Sequence, residues 1–258
     1  MTPLIKTLLH TFVALFFALF TTHTYSGVKG DDDNSEHAIA HPNAGVIPPQ
    51  AKISGKSYGD WGAAWWKWAL GVPFVQSPIN DTTGQYGSQN QRGPVWFLAG
   101  TFGQYAERTI TIPAGKFIFF PLVNMWNDFP CPDPNFKPAE GQSMEEFLTI
   151  GVAPYIDPWL TEPGNTLSAK VDGVELKNLH LYRGISHLTK FKADPSQVAI
   201  DTCITGQDQV GVADGFWIML APLSPGKHEI EFSAFAVSNP FPFNLDVKYH
   251  VTIKKRGD

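Results

Sequence analysis

Leu245-Asp246-Val247-Lys248-Tyr249-His250-Val251-Thr252-Ile253-Lys254 alternates apolar and polar residues without a break. Side chains of a strand point alternately to opposite faces. Leu245, Val247, Tyr249, Val251 and Ile253 therefore share one face, and Asp246, Lys248, His250, Thr252 and Lys254 the other. One dry and one wet face is the antiparallel pattern. Working back along the chain, His228-Glu229-Ile230-Glu231-Phe232 repeats the period of two, and Leu223-Ser224-Pro225-Gly226 before it reads as a turn. Phe216-Trp217-Ile218-Met219-Leu220 reads as a buried strand. Val171-Asp172-Gly173-Val174 is a hairpin signal, because Asp-Gly accepts the positive φ angles of a two-residue turn. Further upstream, Val95-Trp96-Phe97-Leu98-Ala99, Arg108-Thr109-Ile110-Thr111-Ile112 and Lys116-Phe117-Ile118-Phe119-Phe120 are short runs bounded by Gly and Pro.

Two helices interrupt this strand-rich pattern. Ser57-Tyr58-Gly59-Asp60 places a hydroxyl three residues before a carboxylate, a variant of the capping box, and the run Trp61 to Leu70 ends at Gly71 and Pro73. Trp61, Trp65 and Trp68 fall on one face of that helix, and Trp66 points elsewhere. Ser143-Met144-Glu145-Glu146 is a capping box before Phe147, Leu148 and Ile150. The expected architecture is mainly β: an antiparallel β-sandwich or jelly-roll-like domain with two short helices, over residues 51–258.

The N-terminus reads as an export signal. Lys6 precedes the apolar run Phe12 to Phe20, and Thr24 and Ser26 suit a cut before Gly27. Such a run rises roughly 13 Å as a helix, too short for a hydrocarbon core of about 30 Å. Residues 1–26 are therefore expected to be a signal peptide, with no membrane span in the mature chain. Residues 27–50 hold Gly30-Asp31-Asp32-Asp33-Asn34-Ser35-Glu36 and close with Pro48-Pro49, the pattern of a flexible acidic leader. The expected location is secreted or periplasmic. A formal net charge of −5 argues against a nucleic-acid partner, which needs a basic face. An exported chain meets an oxidising compartment, so Cys131 and Cys203 are expected to pair. In the chain-entropy model such a loop closure contributes about 4 kcal/mol.

Three stretches carry a resemblance: Gly59-Asp60-Trp61 through Trp68; Gly93-Pro94-Val95-Trp96-Phe97-Leu98-Ala99-Gly100; and Val212-Ala213-Asp214-Gly215-Phe216-Trp217 through Lys227-His228-Glu229-Ile230. Together they resemble a group of exported bacterial β-rich proteins without assigned activity. The resemblance implies export and one β-rich domain, and transfers no catalytic residue.

Candidate chemistry is sparse. Gly55-Lys56-Ser57-Tyr58-Gly59 matches a nucleophile elbow, but Ala51-Lys52-Ile53-Ser54 is short and half polar where the elbow needs a buried strand; a helix cap is the better reading of Ser57. His37 and His41 could chelate zinc or copper, yet they sit in the leader, where nothing supplies a rigid, dry site. Asn124, Asn127, Asp128, Asp133 and Asn135 make an oxygen-rich stretch of the kind that can hold Ca²⁺, without EF-hand spacing; Asn and Asp also simply make turns. No other metal or cofactor is expected. His180, Arg183 and His187 lie around Gly184, with no spacing that brings Asp128, Asp201 or Asp214 beside them. Asn80-Asp81-Thr82 fits the N-glycosylation triplet. Trp126, read as lying in the polar loop Asn124 to Asp128, is the expected exposed aromatic contact. The expected ligand-binding set is Trp126, Asn124, Asp128, Arg183 and His187.

Three function classes follow. The first is a non-catalytic binding module for carbohydrate or another envelope component. The others are a secreted hydrolase or lyase with loop carboxylate and His residues, and a structural or matrix protein.

Overall fold

The computed structural model describes residue 43 and residues 45–255. The expected signal peptide, most of the expected leader, and His37 and His41 lie outside the described residues. Ten strands, β1 (Val95–Phe97), β2 (Tyr105–Pro113), β3 (Phe117–Phe129), β4 (Thr166–Val171), β5 (Val174–Glu175), β6 (Arg183–Ile185), β7 (Thr189–Lys192), β8 (Asp208–Leu220), β9 (Gly226–Ala236) and β10 (Phe243–Lys254), build two five-stranded sheets among the described residues. The first sheet runs β1-β3-β8-β6, with β7 also pairing with β8. The second runs β2-β10-β9-β4-β5. Among the described residues three α-helices accompany them: α1 (Tyr58–Leu70), α2 (Met144–Ile156) and the single turn α3 (Pro158–Thr161).

The strand-rich reading holds, with one difference. Both sheets are mixed: β1 runs parallel to β3, and β2 parallel to β10. Alternation reports which face is buried, and strand direction is set by the connections. The last strand is as its sequence dictates. Leu245, Val247, Tyr249, Val251 and Ile253 are buried, and they face the first sheet, against which Phe232 stacks on Phe120 with ring centroids 4.9 Å apart. Asp172 and Gly173 take φ of 51° and 77° at the β4–β5 turn, as a two-residue hairpin requires.

The far face of the first sheet is covered by α1. The Ser57 side chain accepts from the Asp60 N–H and the Asp60 side chain accepts from the Ser57 N–H, closing a reciprocal capping box. The helix lies close on the sheet because glycines meet there. A Cβ on Gly59 would fall 2.0 Å from the Ile185 carbonyl oxygen, and one on Gly62 would strike the Trp217 ring at 2.6 Å. Trp65 packs on Trp66, Trp68 and Trp217, and its indole N–H donates to the Leu98 carbonyl at 2.8 Å. Helix α2, capped by Ser143, covers part of the opposite face, where Asn127 donates to the Leu148 carbonyl.

Arg108, expected only as a strand residue, carries a structural role. It lies on the inward face of β2, fully buried. Its guanidinium donates to the carbonyls of Asp81, Ala99, Gly100 and Ile79 and to the Tyr249 hydroxyl. These bonds satisfy a desolvated cation and tie two loops to β10.

The last residues of the stretch read as a leader are part of the domain. Asn43 bonds the backbone of Lys177 and the Tyr182 hydroxyl. The Ile47 N–H donates to the Met219 carbonyl, and the Ala221 N–H to that of Gly45. Cys131 and Cys203 form the expected disulfide. Among the described residues no helix is long and apolar enough to cross a membrane.

Candidate functional site

The stretch from Asn124 to Asp128 is not a loop. It continues β3, whose register with β8 sets Asn124 opposite Gly215, Trp126 opposite Ala213 and Asp128 opposite Gly211. Asn124 and Trp126 lean onto the glycines of β8: a Cβ on Gly211 would fall 2.1 Å from the Trp126 ring, and one on Gly215 would fall 2.6 Å from the Asn124 Cβ. The missing side chains on β8 make room for larger ones on β3. Trp126 is consequently buried, stacked on Trp66 and set edge-on to Phe191. Trp126 is therefore not the exposed contact expected of it. All eight Trp are buried, so no indole offers an open platform for a sugar ring.

The expected site residues fall in three places, two of them the opposite faces of the first sheet. Asn124, Trp126 and Asp128 share the face beneath α1. Arg183 lies on the opposite face, where Asp214 receives bonds from its Nε (3.0 Å) and Nη2 (2.6 Å), and Asp157 just after α2 lies 2.8 Å from the same Nη2. Burial pushes the Asp214 carboxyl up from its ordinary range, with Arg183 opposing. The guanidinium bridges the sheet to the end of α2. Sequence spacing did not bring Asp214 to Arg183; the β6–β8 pairing does, across 31 residues.

His187 is exposed and belongs to a third place, the start of α1. Its Nδ1 donates to Asp60 Oδ1 at 2.9 Å, while Asp60 Oδ2 accepts the Ser57 hydroxyl at 2.8 Å. Burial would raise the Asp60 carboxyl, but the bonds from His187 and Ser57 outweigh it and hold it at about 2. Asp60 in turn raises His187. The Ser57 hydroxyl is thereby bonded to the carboxylate of its own cap.

The oxygen-rich stretch is dispersed in the same way. Asn124 and Asp128 face α1, whereas Asn127 faces α2 and Asp133 accepts from the Asn135 N–H. Among the described residues, donors of Asp128, Asp201 and Cys203 come within 4.8 Å of one another. The Cys203 sulfur is held in the disulfide and is not a thiolate. The Asp128 carboxylate accepts from the Gln209 amide, which also bonds the carbonyls of Pro130 and Cys203. That network braces the disulfide loop.

The aromatic surface lies elsewhere, at the end of the second sheet where β9 meets β10. Asn165 donates to the carbonyls of Pro158 and Asn239, and Asn239 to the Glu162 carboxylate, so the β9–β10 loop is fastened over α3. Phe243 packs edge-on to Trp159 and to Phe241, which meets Tyr155. A Cβ on Gly103 would fall 3.3 Å from the Phe243 ring, which brings the Phe102 loop to the same end. On the elements that meet at this end four apolar side chains are exposed: Phe102 (44 %), Phe235 (45 %), Leu160 (49 %) and Val237 (62 %), with Phe235 on the face of the sheet opposite Phe243. Phe235 projects from the wet face of β9 between Asn244 and Thr166. No sequence signal marked this end as a site, although Phe241-Pro242-Phe243 in a turn was visible.

No family model matches the chain, and no curated protein matches it. Two solved structures show weak likeness. The cysteine protease inhibitor EhICP2 from Entamoeba histolytica is 14 % identical, with 59 % of this chain and 88 % of that one covered at a TM-score of 0.20. PbICP-C, solved in complex with falcipain-2, is 10 % identical, with 63 % and 100 % covered at a TM-score of 0.22. At such TM-scores neither likeness bears on function.

Proposed function

We propose that this chain is an exported, non-catalytic binding protein whose contact surface is the Phe-rich end of the second sheet. The observation that carries the reading is the exposure of Phe102, Leu160, Phe235 and Val237 around a fastened loop. Exposed apolar side chains carried by neighbouring elements of a folded chain are candidates for an interaction site. Phenylalanine has no polar edge to bond hydroxyls, so the surface suits an apolar segment of an envelope protein better than a sugar. Export is supported by the signal-like N-terminus, the resemblance to exported bacterial β-rich proteins, and the disulfide, which belongs to oxidising compartments. The test is binding to a peptide array and an oligosaccharide array by the native chain and by Phe102→Ser/Phe235→Ser/Val237→Ser. Peptide binding that the substitutions weaken more than about tenfold supports the reading. Oligosaccharide binding indifferent to them contradicts it.

A hydrolase is the second reading, and one observation favours it: Asp60 holds His187 by Nδ1 on an exposed ring, leaving Nε2 toward solvent. A general base has that posture. It predicts turnover of p-nitrophenyl esters or glycosides that falls at least about hundredfold in His187→Asn. The binding reading predicts no turnover in either protein.

A further inference from the structure

His228 stands at the opposite end of the second sheet, where β9 begins, with its side chain partly buried. Its Nδ1 lies 2.7 Å from Asp172 Oδ2 in the β4–β5 turn, and its Nε2 lies 2.8 Å from the backbone carbonyl of Ser224 in the β8–β9 turn. Asp172 is aimed by the Glu229 N–H, which donates to its other oxygen at 2.8 Å. A carboxylate and a carbonyl can only accept, so holding both partners needs a proton on each ring nitrogen. A neutral imidazole has one N–H and must release one of them. The geometry also supplies a substitute partner. The Ser224 hydroxyl lies 3.4 Å from Nε2, and it can donate to that nitrogen once the proton has left.

We propose that His228 is a proton-operated latch. As an imidazolium it ties the β4–β5 turn to the β8–β9 turn, and on deprotonation it exchanges the Ser224 carbonyl for the Ser224 hydroxyl and frees that turn. The charged group facing it from the β4–β5 turn is Asp172. Lys227 and Glu229 flank it on its own strand, with Glu229 turned to Lys248. From β10 it meets Val251, with Thr252 opposite Lys227 and Ile253 opposite Gly226. Burial works against the imidazolium, but the bonds to Asp172 and to Ser224 outweigh it and raise the group above its ordinary value. A raised histidine stabilises the fold fully below its unfolded value near 6.5. That contribution is lost as pH rises through the folded value, so the latch is closed in acid and opens toward alkaline pH.

The experiment is amide hydrogen exchange across pH on the full chain, corrected for intrinsic rates, with the His228 ring titrated by NMR. In the native chain, protection at residues 171–175 and 222–229 is expected to fall about tenfold for each unit by which the histidine is displaced. His228→Gln has one side-chain donor, so its protection is expected to be low and flat with pH. Ser224→Ala keeps the carbonyl and loses the substitute, so it is expected to open further in alkali and to stay closed in acid. The proposal is overturned if the native chain shows no step, or if His228→Gln keeps the same step. If that variant does not fold, the ring titration of the native chain decides: a value at or below the unfolded one overturns the latch.

Discussion

The helix-covered face of the first sheet and the open end of the second sheet are both rich in aromatic residues, and they have opposite fates. Beneath α1 the Trp rings stack on one another and on Phe119, over glycines that let the helix approach. At the β9–β10 end Phe241 and Phe243 are half-buried, and Phe102 and Phe235 on neighbouring segments are exposed. Aromatic content alone therefore does not mark a contact surface. What separates the two regions is how completely the rings are covered: α1 closes over the Trp layer, whereas Tyr155 of α2 and Trp159 of α3 only flank Phe241 and Phe243. The Trp layer is a stability element, and the Phe end carries the contact surface we propose.

The largest expected effect is on the Trp layer. Trp65→Ala removes a ring that touches three other indoles and orphans the Leu98 carbonyl. Denaturant unfolding should show a loss of about 3–5 kcal/mol. A loss below about 1 kcal/mol would erase the distinction between the two regions.

Arg183→Met probes the margin between them. It leaves Asp214 buried with no cation, at a cost of about 3–5 kcal/mol near neutral pH. Because the buried carboxyl is raised, the native state binds its proton more readily than the unfolded chain does, and the variant should regain stability as pH falls. Unfolding curves at several pH values between 4 and 8 check this. A deficit independent of pH would place the role of Arg183 in packing alone.

Gly211→Ala is a smaller intrusion. The added carbon meets the Trp126 ring and must displace it, at about 1–3 kcal/mol with a changed tryptophan emission. An unchanged spectrum would mean that the layer is looser than its stacking implies.

These contrasts show where the sequence was legible. Positions decided by local chemistry were readable: both serine caps, the Asp172-Gly173 turn and the alternation of β10. The cysteine pairing followed from the expected compartment. Positions decided by a neighbouring strand were not. Asn124, Asn127 and Asp128 gave β3 the look of a loop, and only the facing glycines of β8 show why Trp126 can turn inward. The meeting of Arg183 with Asp214 depends on β6 lying beside β8, which neither residue announces. Arg108 was within reach, since it shares the parity of Ala106 and Ile110, two buried positions of one strand. The Phe end escaped because an exposed apolar residue looks the same as a buried one until the elements around it are placed.

The most direct measurement compares thermal stability and array binding of the native chain and Phe102→Ser/Phe235→Ser/Val237→Ser in parallel. If the Phe end is a contact surface, stability should stay within about 0.5 kcal/mol per substitution, as for exposed sites. Peptide binding should then fall by more than about tenfold. Unfolding at markedly lower temperature, or peptide binding that survives the three substitutions, would contradict the account.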